Sequence, residues 1–261
     1  MDLLEAYYNS RDEEKRLLSQ HGQVEYLTTM KYIHACLSQL HSQKILEVGA
    51  GTGRYSVALA REGYAVTAVE LVQHNLDVLR SKLNGDEPIT AMQGDALDLS
   101  ALPDQSFDLT MLLGPMYHLY TWEDKKKAMS EAVRVTKPGG MILIAYCMNE
   151  PTIIQYVFSG NHLREVAEND LLTDDWHCKS DPKEIFELVR TEDISQLNAG
   201  FPVERIKLVA TDGAAHYLSG LIDGMDRETF AKWMEYHLAT CERQDLIGAS
   251  NHTLDILRVR G

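Results

Sequence analysis

The chain is poor in cysteine, in basic charge and in long apolar runs. Its four cysteines, Cys36, Cys147, Cys178 and Cys241, lie far apart with no C-x-x-C pair. That spacing excludes a dense disulfide frame and a cysteine-built zinc site, and reads as reduced thiols inside a cell. No stretch approaches the roughly 18 consecutive apolar residues that a membrane span needs. The opening Met1-Asp2-Leu3-Leu4-Glu5 lacks the basic start of a secretion signal. A cytoplasmic protein that does not enter a membrane is therefore expected. Lys and Arg number 25 against 39 Asp and Glu, a net charge of −14. Phosphate backbones are bound by clustered basic residues, so no nucleic acid partner is expected. The basic run Lys125-Lys126-Lys127 follows Glu123 and Asp124 and reads as a solvated helix face. His162, His177, His216, His237 and His252 show no metal-ligand spacing, and no metal is expected. There are no internal repeats and no low-complexity tract.

What is present is ordinary for a globular protein: 44% hydrophobic and 25% charged residues in 261. That length accommodates one α/β domain with additions. The most informative segment is Ile45-Leu46-Glu47-Val48-Gly49-Ala50-Gly51-Thr52-Gly53-Arg54-Tyr55. A short apolar run reads as a buried strand, and glycines at every second position let the backbone turn sharply and approach a ligand. A helical pattern follows. Strand, glycine loop and helix predict a nucleotide pocket at the carboxyl edge of an open sheet. The dinucleotide fingerprint G-x-G-x-x-G would put its third glycine where Arg54 stands.

Alternation of strands and helices then predicts a parallel sheet with right-handed crossovers. Strands are expected at 44–48, 66–70, 88–92, 107–113 and 141–147, and helices at 53–62, 74–83 and 121–135. Lys137-Pro138-Gly139-Gly140 reads as a turn before the fifth strand. Residues 1–42 form an N-terminal helical cap, with Gly22 separating two helices, and 43–149 form the cofactor-binding core. After that the rhythm breaks into a helical insertion at 150–181, a core helix and sixth strand within 182–213, a second helical insertion at 214–250 and a last strand within 251–261. Helices are expected over 152–170 and 183–199. Both insertions are expected near the pocket mouth, where such folds carry specificity.

The Gly-x-Gly-x-Gly loop preceded by Glu47, the acid Glu70 ending the second strand, Gly94-Asp95-Ala96, Phe107-Asp108 and the Lys-Pro-Gly-Gly turn occur in one order. In that order they resemble the class I S-adenosylmethionine-dependent methyltransferases, with the stretch 112–120 similar to a bacterial group presumed to act on small molecules. The resemblance implies a Rossmann-like α/β fold: a seven-stranded, mostly parallel sheet with an antiparallel last strand, covered by N-terminal and inserted helical lids. It implies S-adenosylmethionine as cofactor and a small-molecule methyl acceptor. Glu47, Gly49, Ala50, Gly51 and Gly53 would hold the methionine end; Glu70 and Leu71 the ribose; Asp95 and Ala96 the adenine, although an Asp there also suits a helix start. Leu113, Tyr8 and Tyr26 would complete the cofactor site. Glu70 would equally serve a dinucleotide, so an NAD(P)-dependent oxidoreductase stays open, as does a non-catalytic S-adenosylmethionine-binding regulator. Tyr117 and His118, after the fourth strand, are the candidate catalytic residues. His118 has a proton affinity suited to a general base; methyl transfer from a sulfonium can also proceed by alignment alone, which leaves a positioning role for it.

Overall fold

The apolar runs around Glu47, Val69 and Leu109 become adjacent strands of one sheet. The computed structural model describes residues 3–10, 17–183 and 185–261. The parts of the expected N-terminal helices on 1–2 and 11–16, and residue 184 of the expected 183–199 helix, lie outside them. The cap contains α1 (Leu3–Asn9) and α2 (Gln20–Leu37). Ser19 caps α2 by accepting from Gly22 N at 3.2 Å. Gly22 is thus inside the first turn of α2, and does not separate two helices.

The core follows as β1 (Lys44–Val48), α3 (Arg54–Arg61), β2 (Ala65–Glu70), α4 (Gln73–Ser81), β3 (Ile89–Gln93), β4 (Phe107–Leu112), α5 (Trp122–Val135) and β5 (Thr136–Met148). β4 is buried at all six positions, as a strand covered on both faces must be. Thr121 caps α5, its Oγ1 accepting from Asp124 N at 3.0 Å. The Lys-Pro-Gly-Gly segment lies within β5 and not before it. Across from it the register jumps, Phe107 pairing Thr136 and Leu109 pairing Met141. Gly139, at φ +78°, absorbs the extra residues as a bulge.

Beyond β5 come α6 (Asn149–Thr152), a π-helical turn over Ile153–Ser159, α7 (Leu163–Glu168), β6 (Leu188–Val189), α8 (Thr191–Asn198), β7 (Val203–Ala210), α9 (Ser219–Asp223), α10 (Arg227–Thr240), α11 (Gln244–Ile247) and β8 (His252–Val259). The sheet runs β3-β2-β1-β4-β5-β8-β7, with the short β6 pairing β5 as an eighth strand. β8 is antiparallel to both its neighbours, so the expected mostly parallel sheet with an antiparallel last strand is what forms. The helix expected over 183–199 is confined to α8, because Leu188 and Val189 pair with Cys147 and Met148 instead.

Candidate functional site

The loop after β1 is shaped by three glycines in the left-handed region, Gly49 (φ +74°), Gly51 (φ +56°) and Gly53 (φ +84°). Gly49 N and Ala50 N both donate to Val69 O, at 2.8 and 3.0 Å, folding the loop over the end of β2. A Cβ on Gly49 would stand 2.6 Å from Pro115 Cδ, and one on Gly53 2.5 Å from Leu79 Cγ. A Cβ on Gly51 would meet nothing within 4 Å. Gly49 and Gly53 are therefore fixed by packing, while Gly51 borders open space.

That space is a cavity of about 390 Å³ at the carboxyl edge of β1, β2, β3 and β4, within the range of small-molecule sites. Glu47, Gly49, Ala50, Gly51, Glu70, Leu71, Asp95, Ala96, Leu113, Tyr8, Tyr117 and His118 all line it. Two expected cofactor contacts do not. Gly53 lies beneath the loop as the N-cap of α3. Tyr26 sits one layer back, its ring 5.3 Å from that of Tyr55 and 4.6 Å below the Arg54 guanidinium; Tyr55 and Arg54 are the ones that reach the cavity. Neither insertion, 150–181 nor 214–250, contributes a lining residue. The cover is instead formed by Leu3, Leu4, Tyr8 and Leu17 of the cap, with Pro182. Residues of 214–250 pack on α2, Ala215, Ile222 and Met234 against Val24.

Two carboxylates face the loop. Glu47 is buried and takes a short hydrogen bond from Ser56 Oγ. Burial pushes its carboxyl up to about 8; the Ser56 hydrogen bonds pull the other way, and the charge of Glu70 adds to the rise. Glu70 Oε2 accepts from Gly51 N at 2.7 Å and its Oε1 from Val72 N at 2.9 Å. Burial raises this carboxyl too, against the hydrogen bonds from Val72, Gly51 and Asn75. Glu70 thus braces the glycine loop as well as facing the cavity. Asp95 Oδ1 accepts from Leu97 N at 2.9 Å, an Asx-type turn that holds the loop after β3.

The exit of β4 forms a 3₁₀ turn, Pro115–His118. Tyr117 donates to Leu113 O at 2.8 Å, closing that turn on itself. His118 Nδ1 lies 2.8 Å from Ile185 O. A carbonyl can only accept, so Nδ1 carries the proton, and Nε2 is the acceptor for the Tyr8 hydroxyl 2.7 Å away. Burial lowers the His118 pKa, with the Ile185 carbonyl opposing. Glu187 N donates to Tyr117 O at 2.8 Å and Phe186 lies 5.4 Å from the His118 ring, so 185–187 buttress the turn from outside. Nothing in the sequence spacing joins Tyr8 to His118, 110 positions apart.

The residues accept S-adenosylmethionine on two structural grounds. The cradle at Gly51 is open where a side chain would fill it, and Arg54 Nε is buried without a hydrogen-bond partner among the described residues. A guanidinium there suits a ligand carboxylate, and Glu47 suits an ammonium. The sequence marks Arg54 as a cavity residue only by its place directly after the glycines.

Fold and cavity together define a Rossmann-like α/β protein with a small-molecule cavity at the carboxyl edge of its sheet. Residues 46–144 match the methyltransferase-domain family. The chain is 36% identical over 109 residues to a demethylmenaquinone methyltransferase of Clavibacter sepedonicus, covering 42% of this chain and 43% of that one. It thus spans less than half the length of that relative. Among solved structures, it is similar to the CcbJ methyltransferase of Streptomyces caelestis (TM-score 0.58, 16% identity, 90% of this chain and 89% of that one). It is also similar to a possible histamine N-methyltransferase of Thermotoga maritima (TM-score 0.55, 16% identity, 99% and 98%). The family match is thus to a methyltransferase domain, over residues 46–144.

Proposed function

We propose that the protein transfers the methyl group of S-adenosylmethionine to a small-molecule acceptor. The observation that carries this reading is the convergence of Glu47, the Gly51 cradle, Arg54, Glu70 and Asp95 on the cavity that Tyr8 and His118 also line. The chemistry supplied by the bound cofactor is an electrophilic methyl carbon on a sulfonium. Glu47 holds the cofactor ammonium and Arg54 its carboxylate. Glu70 takes the ribose hydroxyls, while Asp95 and the Ala96 amide hold the adenine. Tyr117, Leu113 and Pro115 shape the wall at the β4 exit and keep the acceptor in line, which is where much of the acceleration of a displacement arises.

Tyr8 and His118 handle the acceptor's proton. With Nδ1–H held by Ile185 O, the His118 Nε2 lone pair faces the Tyr8 hydroxyl. A proton leaving the acceptor would pass to the Tyr8 oxygen as the Tyr8 proton passes to Nε2, leaving an imidazolium. The acceptor is a small molecule of no single class: two of the three similar proteins carry a quinone and an amine in their names, and such different acceptors share no single recognition chemistry.

Calorimetric titration with S-adenosylhomocysteine tests the reading, with NADH run alongside. One saturable site for the former and none for the latter is expected. No heat from folded protein at tens of micromolar would contradict it, and saturable NADH binding would revive the oxidoreductase alternative. Binding without release of S-adenosylhomocysteine from S-adenosylmethionine across a broad acceptor panel would mark a binding protein and not an enzyme.

A further inference from the structure

A second cluster of metal-capable side chains lies at the same edge of the sheet, outside the cavity. Glu25 comes from α2, Asp212 and His216 from the turn after β7, and His252 from the start of β8. One ligand atom from each lies within 4.8 Å of all the others. None of the four lines the cofactor cavity. His252 pairs with Cys147 near the end of β5. Strands in a sheet are spaced about 4.8 Å, so β8 stands about 10 Å along the edge from β4.

We propose that Glu25, Asp212, His216 and His252 form a binding site for one divalent transition-metal ion of the zinc class. A tetrahedral ion with ligand bonds of about 2.1 Å needs its ligand atoms about 3.4 Å apart. His216 Nε2 is 3.5 Å from Asp212 Oδ2, and His252 Nδ1 is 3.5 Å from Glu25 Oε2. The pair His252 Nδ1 and Asp212 Oδ2, at 2.7 Å, is a direct hydrogen bond that opens by under an ångström when an ion replaces the shared proton. Two imidazoles select a transition ion over Mg²⁺ or Ca²⁺, which take oxygen ligands.

The surroundings are built as a ligand-orienting shell. Asp212 is fully buried. Its Oδ1 is fixed by Ser250 Oγ at 2.6 Å and His252 N at 3.1 Å, which turns Oδ2 toward the two imidazoles. Such outer contacts are what aim a metal-binding carboxylate. Two buried polar atoms close by, the Tyr217 hydroxyl and His237 Nε2, have no hydrogen-bond partner among the described residues. Both residues feel the Asp212 charge. His21 is not a fifth ligand: its Nδ1 is held by Asp223 Oδ2 at 2.8 Å, with its ring packed against His216. The expectation of no metal rested on spacing along the chain. The four ligands are 187, 4 and 36 positions apart, and only the β7–β8 edge with α2 laid across it unites them. An ion there would pin the N-terminal cap to the sheet.

The proposal is independent of the methyl-transfer reading. The test uses the full chain, stripped with chelator and titrated with Co²⁺ as a spectroscopic probe, then with competing Zn²⁺. The expected result is one equivalent of Co²⁺ with visible d–d absorption, displaced by Zn²⁺. Saturating Zn²⁺ at about 100 times its Kd is expected to raise Tm by roughly 5–10 °C. His216→Gln, at a half-buried position, is expected to weaken Co²⁺ binding at least 10-fold, as is Glu25→Gln should the first variant fail to fold. His162→Gln, in the first insertion and not one of the four, its Nδ1 held instead at Tyr156 O, leaves it unchanged. Absence of stoichiometric Co²⁺ uptake, or uptake unaltered in both ligand variants, would overturn the site and show the cluster to be a proton-bridged network only. Binding of S-adenosylhomocysteine, measured on the same samples, reports separately on the cofactor cavity.

Discussion

The raised proton affinity of Glu47 makes cofactor binding pH-dependent in a way that can be worked through. In the free protein, burial holds the carboxyl up at about 8. At pH 7 roughly nine molecules in ten then carry the proton, and each pH unit below 7 lowers the ionised fraction close to tenfold. A ligand ammonium needs the carboxylate, so binding must expel that proton. Affinity for S-adenosylhomocysteine should rise close to 10-fold from pH 6 to pH 7, about 5-fold more by pH 8, and level off above pH 8. Close to one proton should leave on binding at pH 7. The stability sign is the opposite: a carboxyl raised in the folded state above its unfolded value of 4.5 stabilises the protein below that value, and the contribution is lost as pH rises to about 8. The free protein should therefore lose stability between pH 4.5 and 8 from this group while its ligand affinity grows. Calorimetry in two buffers of different ionisation enthalpy reads the proton directly, with Glu47→Gln as the control that should release none. A heat independent of buffer, or an affinity flat from pH 6 to pH 8, would refute the assignment of Glu47 to the ammonium.

The glycines separate packing from binding. Gly53→Ala combines a left-handed φ with a Cβ 2.5 Å from Leu79 Cγ, a cost of roughly 2–5 kcal/mol that should lower Tm by about 5–20 °C. Gly51→Ala meets no protein atom and should cost only the backbone strain of about 1–2 kcal/mol, while reducing S-adenosylhomocysteine affinity more than Gly53→Ala does; thermal melts and titrations of both variants check the contrast. Tyr8→Phe and His118→Gln should each lower kcat by roughly 10²-fold or more, with the double variant no slower than either single one, because they act on one proton. Additive losses, or a normal kcat in either, would remove the relay.

The sequence made the cofactor half of the molecule legible for local reasons. Each of the first five strands is rich in apolar residues, and the glycines that bend the loop after β1 lie within five positions of one another. Local signals failed where tertiary pairing decided. Glu187-Leu188-Val189 carries helical spacing with its neighbours, yet the edge of β5 captures it as β6, and Lys137–Gly140 carries every mark of a turn yet stays in the sheet as a bulge. The insertions look like pocket covers by position, but Val24 of α2 offers 214–250 an apolar seat elsewhere. Tyr8 against His118, and Glu25 against His252, are contacts between the cap and positions far along the chain. No period or spacing encodes them; they exist only once α1 and α2 have docked.

A crystal structure with S-adenosylhomocysteine is the most direct test of the cofactor assignment. The account predicts its amino group at Glu47, its carboxylate at Arg54, its ribose hydroxyls at Glu70, its adenine at Asp95 and Ala96, and its sulfur facing Tyr8. Finding the space beside Gly51 filled by the protein's own side chains, or the ligand bound elsewhere, would contradict it.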